Sequence, residues 1–324
     1  MSNEIRMPTQ PETISRPARR PPRIASLLAS ATETVVALGL AERLIAISHE
    51  CDYPDSVLDR PRVSRPRFDP EGMDSGAIDR AVRGALAEHG SVYEIDGARL
   101  ERLHPTLILT QAVCEVCAVP TPGVRQVVEQ RGIAAQVVSL DAHTLEDVID
   151  SVAVVGRAAG VAGHATEIVR GMRERVERVR AMVRGRVSPR VLAIEWLDPP
   201  FVPGHWVPEM IEVAGGINLA GRAGERSTQT TWEELAGLDP DVLLIMPCGY
   251  GLDASRRDAD RVADRLHATG SRAIAEGRAW VVDGSSYFNR SGPRTIDGLE
   301  ILAAILHPDV AGAPPAPAAG HWPA

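Results

Sequence analysis

The sequence predicts an α/β protein of two Rossmann-like lobes joined by a single long backbone helix, with a ligand cleft between the lobes. Three observations predict it. Short apolar runs alternate with capped helical stretches on both sides of the chain's middle. The middle itself, from Thr144 to Arg184, is helix-compatible almost throughout. Leu103-His-Pro-Thr-Leu-Ile-Leu in the first half is matched by Leu238-Asp-Pro-Asp-Val-Leu-Leu in the second, and such a repeat marks two similar units.

With 324 residues, 44% apolar and 24% charged, the chain can bury a large core and is expected to form about two domains. A formal net charge of -8 argues against a general nucleic-acid binder. No stretch approaches the roughly 20 apolar residues of a membrane span, and four cysteines in so long a chain do not form a disulfide scaffold.

Residues 1–22, rich in Pro, Arg, Ser and Thr, are expected to be a disordered leader. Arginines before the apolar run from Ile24 imitate the start of a signal peptide, but Thr32, Glu33 and Thr34 break that run and no cleavage site is recognisable. The cytoplasm is therefore the expected location, and the periplasm the alternative if the start is misassigned or export takes another route.

Residues 23–143 form the expected first lobe. Ile24 to Leu28 is a buried strand, and Ser30 with Glu33 reads as a capping box opening a helix that Gly39 stops. The strand Leu44–Ile47 leads into a loop with His49, Cys51 and Tyr53, and the strand Leu107–Thr110 into one with Cys114 and Cys117. Ligands of open α/β sheets bind beyond such carboxyl ends. Residues 144–187 are the connection: a helix capped by Thr144 and Asp147, a break at Gly160 to Gly163, then a spine from about Ala165 to Arg184, about 30 Å long. Glu174 and Arg178 stand at ion-pair spacing on its polar face.

Residues 188–309 form the second lobe. The strand Arg190–Ile194 precedes a loop with Trp196, Phe201, His205 and Trp206. Thr231 and Glu234 make another capping box before the strand Val242–Ile245, whose loop holds Cys248 and Tyr250. The strand Ala279–Val282 leads into a loop with Tyr287, Phe288 and Arg290, and a closing helix runs from Thr295 to Leu306. The Ala-, Pro- and Gly-rich residues 310–324 are expected to be a disordered tail.

Aromatic residues are only 4% of the chain, yet the strand-end loops collect Tyr53, Trp196, Phe201, Trp206, Tyr250, Tyr287 and Phe288. Aromatic side chains in such loops are more informative than in a core, and His205 beside Trp206 is a further candidate contact with ligand or solvent. A second set, His49, Cys51, Cys114, Cys117 and Cys248, lies at the same ends of the sheets. It reads either as soft ligands for zinc, iron or a cluster, as a group touching the metal of a bound macrocycle, or as reduced thiols. No nucleophile–base pair, Gly-rich phosphate loop or His-Glu-x-x-His sequence is present, so catalysis is not expected.

Three motifs carry a resemblance over about Arg23 to Pro308: Arg23-Ile-Ala-Ser-Leu-Leu-Ala-Ser-Ala-Thr-Glu, Asp52-Tyr-Pro54 and Tyr287-Phe-Asn-Arg-Ser-Gly-Pro-Arg294. On these the chain resembles the helical-backbone substrate-binding proteins of ABC transporters, in the branch that binds cobalamin and iron chelates. The resemblance implies a rigid spine, small lobe movements and a non-catalytic protein that holds a corrinoid edge-in between aromatic side chains. Tyr53 then matches an aromatic ligand contact, and Tyr287, Phe288 and Arg290 fall in a ligand-contacting loop. Family members carry tryptophans at the loops of Gln111 and of about Ser227; this chain has neither, and Trp196 and Trp206 are the candidates to replace them. Cobalamin or a related tetrapyrrole is the implied ligand, an iron chelate or haem the alternative, and an ABC permease the implied partner of what is expected to be a monomer. A Cys/His metal-site protein on the same fold is the reading from a different class.

Overall fold

The structure, a computed structural model, describes residues 21–113 and 119–323. The first lobe contains β1 (Ile24–Ser26), β2 (Leu44–Ile47), β3 (Ser64–Pro66), β4 (Tyr93–Ile95), β5 (Leu107–Thr110) and β6 (Gln136–Ser139). Four of these make an all-parallel sheet in the order β2-β1-β5-β6, while β3 and β4 pair as a separate antiparallel ribbon. Helices cover both faces of a parallel sheet, so its central strands are apolar along their length. Leu107 to Thr110 is accordingly buried at every position.

The second lobe contains β7 (Arg190–Ile194), β8 (Trp196–Leu197), β9 (Pro200–Val202), β10 (Ile217–Asn218), β11 (Thr228–Gln229), β12 (Val242–Ile245), β13 (Ala279–Val282) and β14 (Ala319–His321). Its main sheet runs β10-β7-β12-β13-β14, parallel except for β14, and a small antiparallel sheet runs β11-β9-β8.

The internal repeat is a backbone device as well as a string of letters. Arg23 enters β1 and donates to the Leu103 carbonyl at 2.8 Å; Arg190 enters β7 and donates to the Leu238 carbonyl, also at 2.8 Å. His104 and Asp239, each followed by proline at the mouth of the central strand, both take left-handed backbone at φ 47 and 40. His and Asp tolerate that region better than most residues.

The connection forms as two helices, Leu145–Ala158 and Ala162–Val183. Thr144 and Asp147 make the expected capping box, each satisfying the other's backbone N–H. The spine begins three residues before the expected start and spans about 33 Å at ~1.5 Å per residue. Its buried stripe is Ala165, Val169, Met172, Val176, Val179 and Val183. The two helices cross so closely that a Cβ on Gly156 would stand 2.2 Å from that of Ala165. On the polar face Arg170, not Arg178, takes Glu174, at 2.6 Å. Arg175 binds Asp297 and Glu300 on the closing helix Thr295–Leu306 at 2.6 Å each. One continuous apolar core contains residues of both lobes, the two connecting helices and the closing helix.

The expected disordered tail is a strand instead. β14 adds antiparallel to β13, with Trp280 opposite His321 and Val282 opposite Ala319. Trp322 behind it is 1% exposed, and its indole donates to Asp260 at 2.7 Å. Small residues there signalled disorder, but an open sheet edge has backbone groups to satisfy, and one tryptophan supplies a large apolar area. Of the expected leader, residues 1–20 lie outside the described residues. Among the described residues no helix is long and apolar enough to cross a membrane.

Candidate functional site: the cleft between the lobes

Segments that follow strands of the first lobe touch segments that follow strands of the second. Segments after β1 and β2 meet the loop after β13, and the segment after β6 meets the loop and helix that follow β9. At the second meeting the His143 and His205 rings lie 5.8 Å apart, and the Leu145 N–H donates to Glu209 at 2.6 Å. A further bridge is the helix Ser75–His89, from which Ser75 donates to Asp258 at 3.0 Å and Arg83 to Gln229 at 3.0 Å.

The first meeting is an ion-pair latch. Arg294 places Nε and Nη2 on the two carboxylate oxygens of Glu33 at 2.9 and 2.6 Å. Arg290 forks onto Asp52 at 2.5 and 2.9 Å and reaches the Glu50 carbonyl at 3.2 Å. Ser30 and Ser291 touch alongside at 3.4 Å. The Glu33 side chain is only 3% exposed. Such two-pronged, charge-assisted contacts are the strong class of hydrogen bond. Burial pushes the Asp52 carboxyl up, but hydrogen bonding and charge from Arg290 outweigh it and hold the group below the usual carboxylate range. The arginines respond in the opposite sense: burial opposes their charge, and the bonds to Asp52 and Glu33 raise both above an ordinary guanidinium.

The latch corrects the reading of Glu33. The first helix runs Ala29–Ala37 with Leu28 at its N-cap and no side-chain cap, so no Ser30/Glu33 capping box forms. Glu33 instead turns across the cleft, because a buried carboxylate needs a cation and Arg294 supplies one. The Thr231/Glu234 box does form as expected. The Glu33–Arg294 pair across the lobes was missed by sequence reasoning; Arg294 was visible at the end of a motif, but its partner lies 261 positions away.

The aromatic candidates divide into two groups. Tyr53 is 47% exposed, with the Arg294 guanidinium 4.2 Å from its ring centre and 5.8 Å from that of Tyr287. Trp196 and Tyr250 form a tilted pair with centroids 5.4 Å apart, and Trp196 sits opposite Phe201 across the β8–β9 pair. Burial, aided by the Asp258 charge, pushes the Tyr250 phenol up to about 12, so it is a neutral donor. Phe288 and Trp206 are corrections. Phe288 is 0% exposed, Trp206 is 8% exposed, both belong to the main core, and the Trp206 indole donates to the Phe288 carbonyl at 2.7 Å. A ring so enclosed, with its one polar atom satisfied internally, packs the lobe. Arg290 is likewise taken up by Asp52 and Glu50. His205 is half-buried at φ 52, and burial pulls its imidazole down toward the neutral form.

The metal-ligand set does not assemble from its first two members. Cys51 is fully buried, 3.0 Å from the Thr32 hydroxyl and 3.3 Å from that of Ser48, and burial raises its thiol. A protonated, enclosed thiol is a poor ligand. His49 holds the Ser64 hydroxyl with Nδ1 at 2.8 Å, sets Nε2 3.2 Å from Glu50, and packs on Tyr93. Cys248 lies half-buried in the loop after β12, and Cys114 and Cys117 lie outside the described residues. Among the described residues no three His, Cys, Asp or Glu side chains are grouped to hold a metal ion.

Two Rossmann-like lobes on a helical backbone, with loops facing each other between them, are the architecture of a solute-binding protein. The chain belongs to the periplasmic binding protein family, whose model matches residues 24–284. It is 21% identical over 287 residues to the vitamin B12-binding protein of Vibrio cholerae, covering 88% of each chain. It is 23% identical over 302 residues to the ABC transporter substrate-binding lipoprotein YvrC of Bacillus subtilis, covering 90% of this chain and 82% of that one. The structure of a periplasmic heme-binding protein from Pseudomonas aeruginosa superposes with a TM-score of 0.69 at 23% identity, covering 93% of this chain and 98% of the other. The expected cytoplasmic location is overturned: the family is periplasmic by description, and its relatives are periplasmic proteins and lipoproteins.

Proposed function

We propose that the protein binds a corrinoid, cobalamin or a close relative, in the cleft and delivers it to an ABC permease as a monomer. The observation that supports this reading is that loops after strands of both lobes carry aromatic side chains that are not fully buried, Tyr53 in the first and Tyr287, Trp196 and Tyr250 in the second. Rings of this kind offer apolar area and π faces to a flat macrocycle at little cost in side-chain freedom. The vitamin B12-binding relative supports the ligand class.

Haem is the second reading, supported by the structural neighbour that binds it. Charge favours the corrinoid. Haem presents two propionates, whereas the periphery of cobalamin is largely amide. Arg290 and Arg294, the guanidiniums on the latch side of the rim, are each already neutralised by Asp52 and Glu33.

Titration of the purified protein with cyanocobalamin and, separately, with haemin tests both readings. Saturable cobalamin binding is expected, weakened about tenfold, or ~1.4 kcal/mol, by Trp196→Ala. Haemin binding with no cobalamin affinity would replace the first reading by the second. No saturable binding of either would remove both.

A further inference from the structure

We propose that Arg294 is a positioning residue that couples closure of the lobes to the setting of the Tyr53 ring. Its own backbone is held firmly. It is the N-cap of the closing helix, which the spine grips through Arg175 to Asp297 and Glu300. From that fixed point in the second lobe the side chain crosses the cleft and engages two groups of the first.

The first group is Glu33. Both carboxylate oxygens are taken by the guanidinium fork, and the nearest other cation given to that carboxylate is Arg290 at 3.7 Å. At 3% exposure Glu33 cannot exchange its partner for water while the helix Ala29–Ala37 stays packed, so separating the lobes here strands a buried charge. The second group is Tyr53. The flat guanidinium that closes the latch is also the cation over its ring at 4.2 Å. Tyr53 is 47% exposed, so much of its surface has no packing contact to hold it.

One guanidinium therefore serves both purposes. With the latch closed, Tyr53 is held beneath the guanidinium. With the latch open, the ring loses its platform. Lysine at 294 would keep the charge for Glu33 but not the planar face, which separates the two roles. The coupling is a property of the ligand-free protein; only its use rests on Tyr53 being a ligand contact, as proposed above.

The chain has four tyrosines, so protein labelled with 3-fluorotyrosine gives a simple 19F spectrum in which Tyr53→Phe assigns the Tyr53 line. Hydrogen exchange of Ala29–Ala37 reports closure independently. Glu33→Gln, which leaves Tyr53 and Arg294 in place, is expected to shift and broaden the Tyr53 line and to speed exchange in that helix. Arg294→Lys is expected to move the Tyr53 line while exchange stays within about twofold of the parent. The double variant Glu33→Gln with Arg294→Gln, which strands neither charge, is expected to restore slow exchange without restoring the line. An unmoved Tyr53 line in Glu33→Gln, or a parental line in Arg294→Lys, overturns the proposal. Absence of cobalamin binding by the parent would defeat the corrinoid reading and leave these spectra, and the coupling, standing.

Discussion

Asp52 has the lowered carboxyl of an ion-paired group, and its side chain is 60% exposed, so its pairing to Arg290 is open to titration. The sign follows from linkage. A folded-state value below the unfolded one contributes stability that is present above the ordinary carboxylate range and lost as pH falls through the folded value. The Arg290–Asp52 half of the latch is therefore expected to loosen in acid below about pH 4, whereas Asp52→Asn should already exchange fast in the 48–54 loop at neutral pH and show no further step. Equal acid dependence in parent and variant would remove Asp52 from the latch. Gly156 makes a second argument at this scale. With only 2.2 Å available beside Ala165, Gly156→Ala should spread the two connecting helices and destabilise the fold by about 1–3 kcal/mol in urea unfolding.

Among the elements, the connecting helix and the last strand illustrate different sources of stability. The helix Leu145–Ala158 starts on a reciprocal cap that satisfies two otherwise orphaned N–H groups. Thr144→Ala is expected to cost about 1 kcal/mol and to lower the melting midpoint. The last strand owes its place to a distant sheet edge and to one side chain. Trp322→Ala should cost about 3–5 kcal/mol by emptying a buried site, and the freed edge of β13 should promote association, seen as a rising apparent mass in light scattering. An unchanged urea midpoint would show that β14 is held by its backbone alone. The capping box was legible because its members are three residues apart; the strand was not, because composition carries no information about a sheet edge some 40 residues earlier.

On the scale of the whole molecule, the largest of three apolar clusters runs through both lobes and the connecting helices and makes a large hinge motion costly, since interiors pack as closely as organic crystals. Small-angle scattering is expected to change little when ligand binds; a pronounced compaction would show that the core divides between the lobes. The fold class, the two connecting helices, two of the three capping boxes and the repeat at Leu103 and Leu238 were all determined by sequence, because each rests on spacing within a few residues or on similarity of one segment to another. Which aromatic rings stand at the rim and which fill the core, the use of Arg290 and Arg294 as latches, the burial of Cys51 and the strand at the tail were decided by tertiary structure alone. Trp206 and Tyr250 look alike in a loop, and only packing distinguishes a ring that closes on its own lobe from one left at the cleft. Glu33 shows the same limit most sharply. Its local spacing favoured a cap, but the free energy of a buried carboxylate was settled by an arginine 261 positions away, at the start of the closing helix.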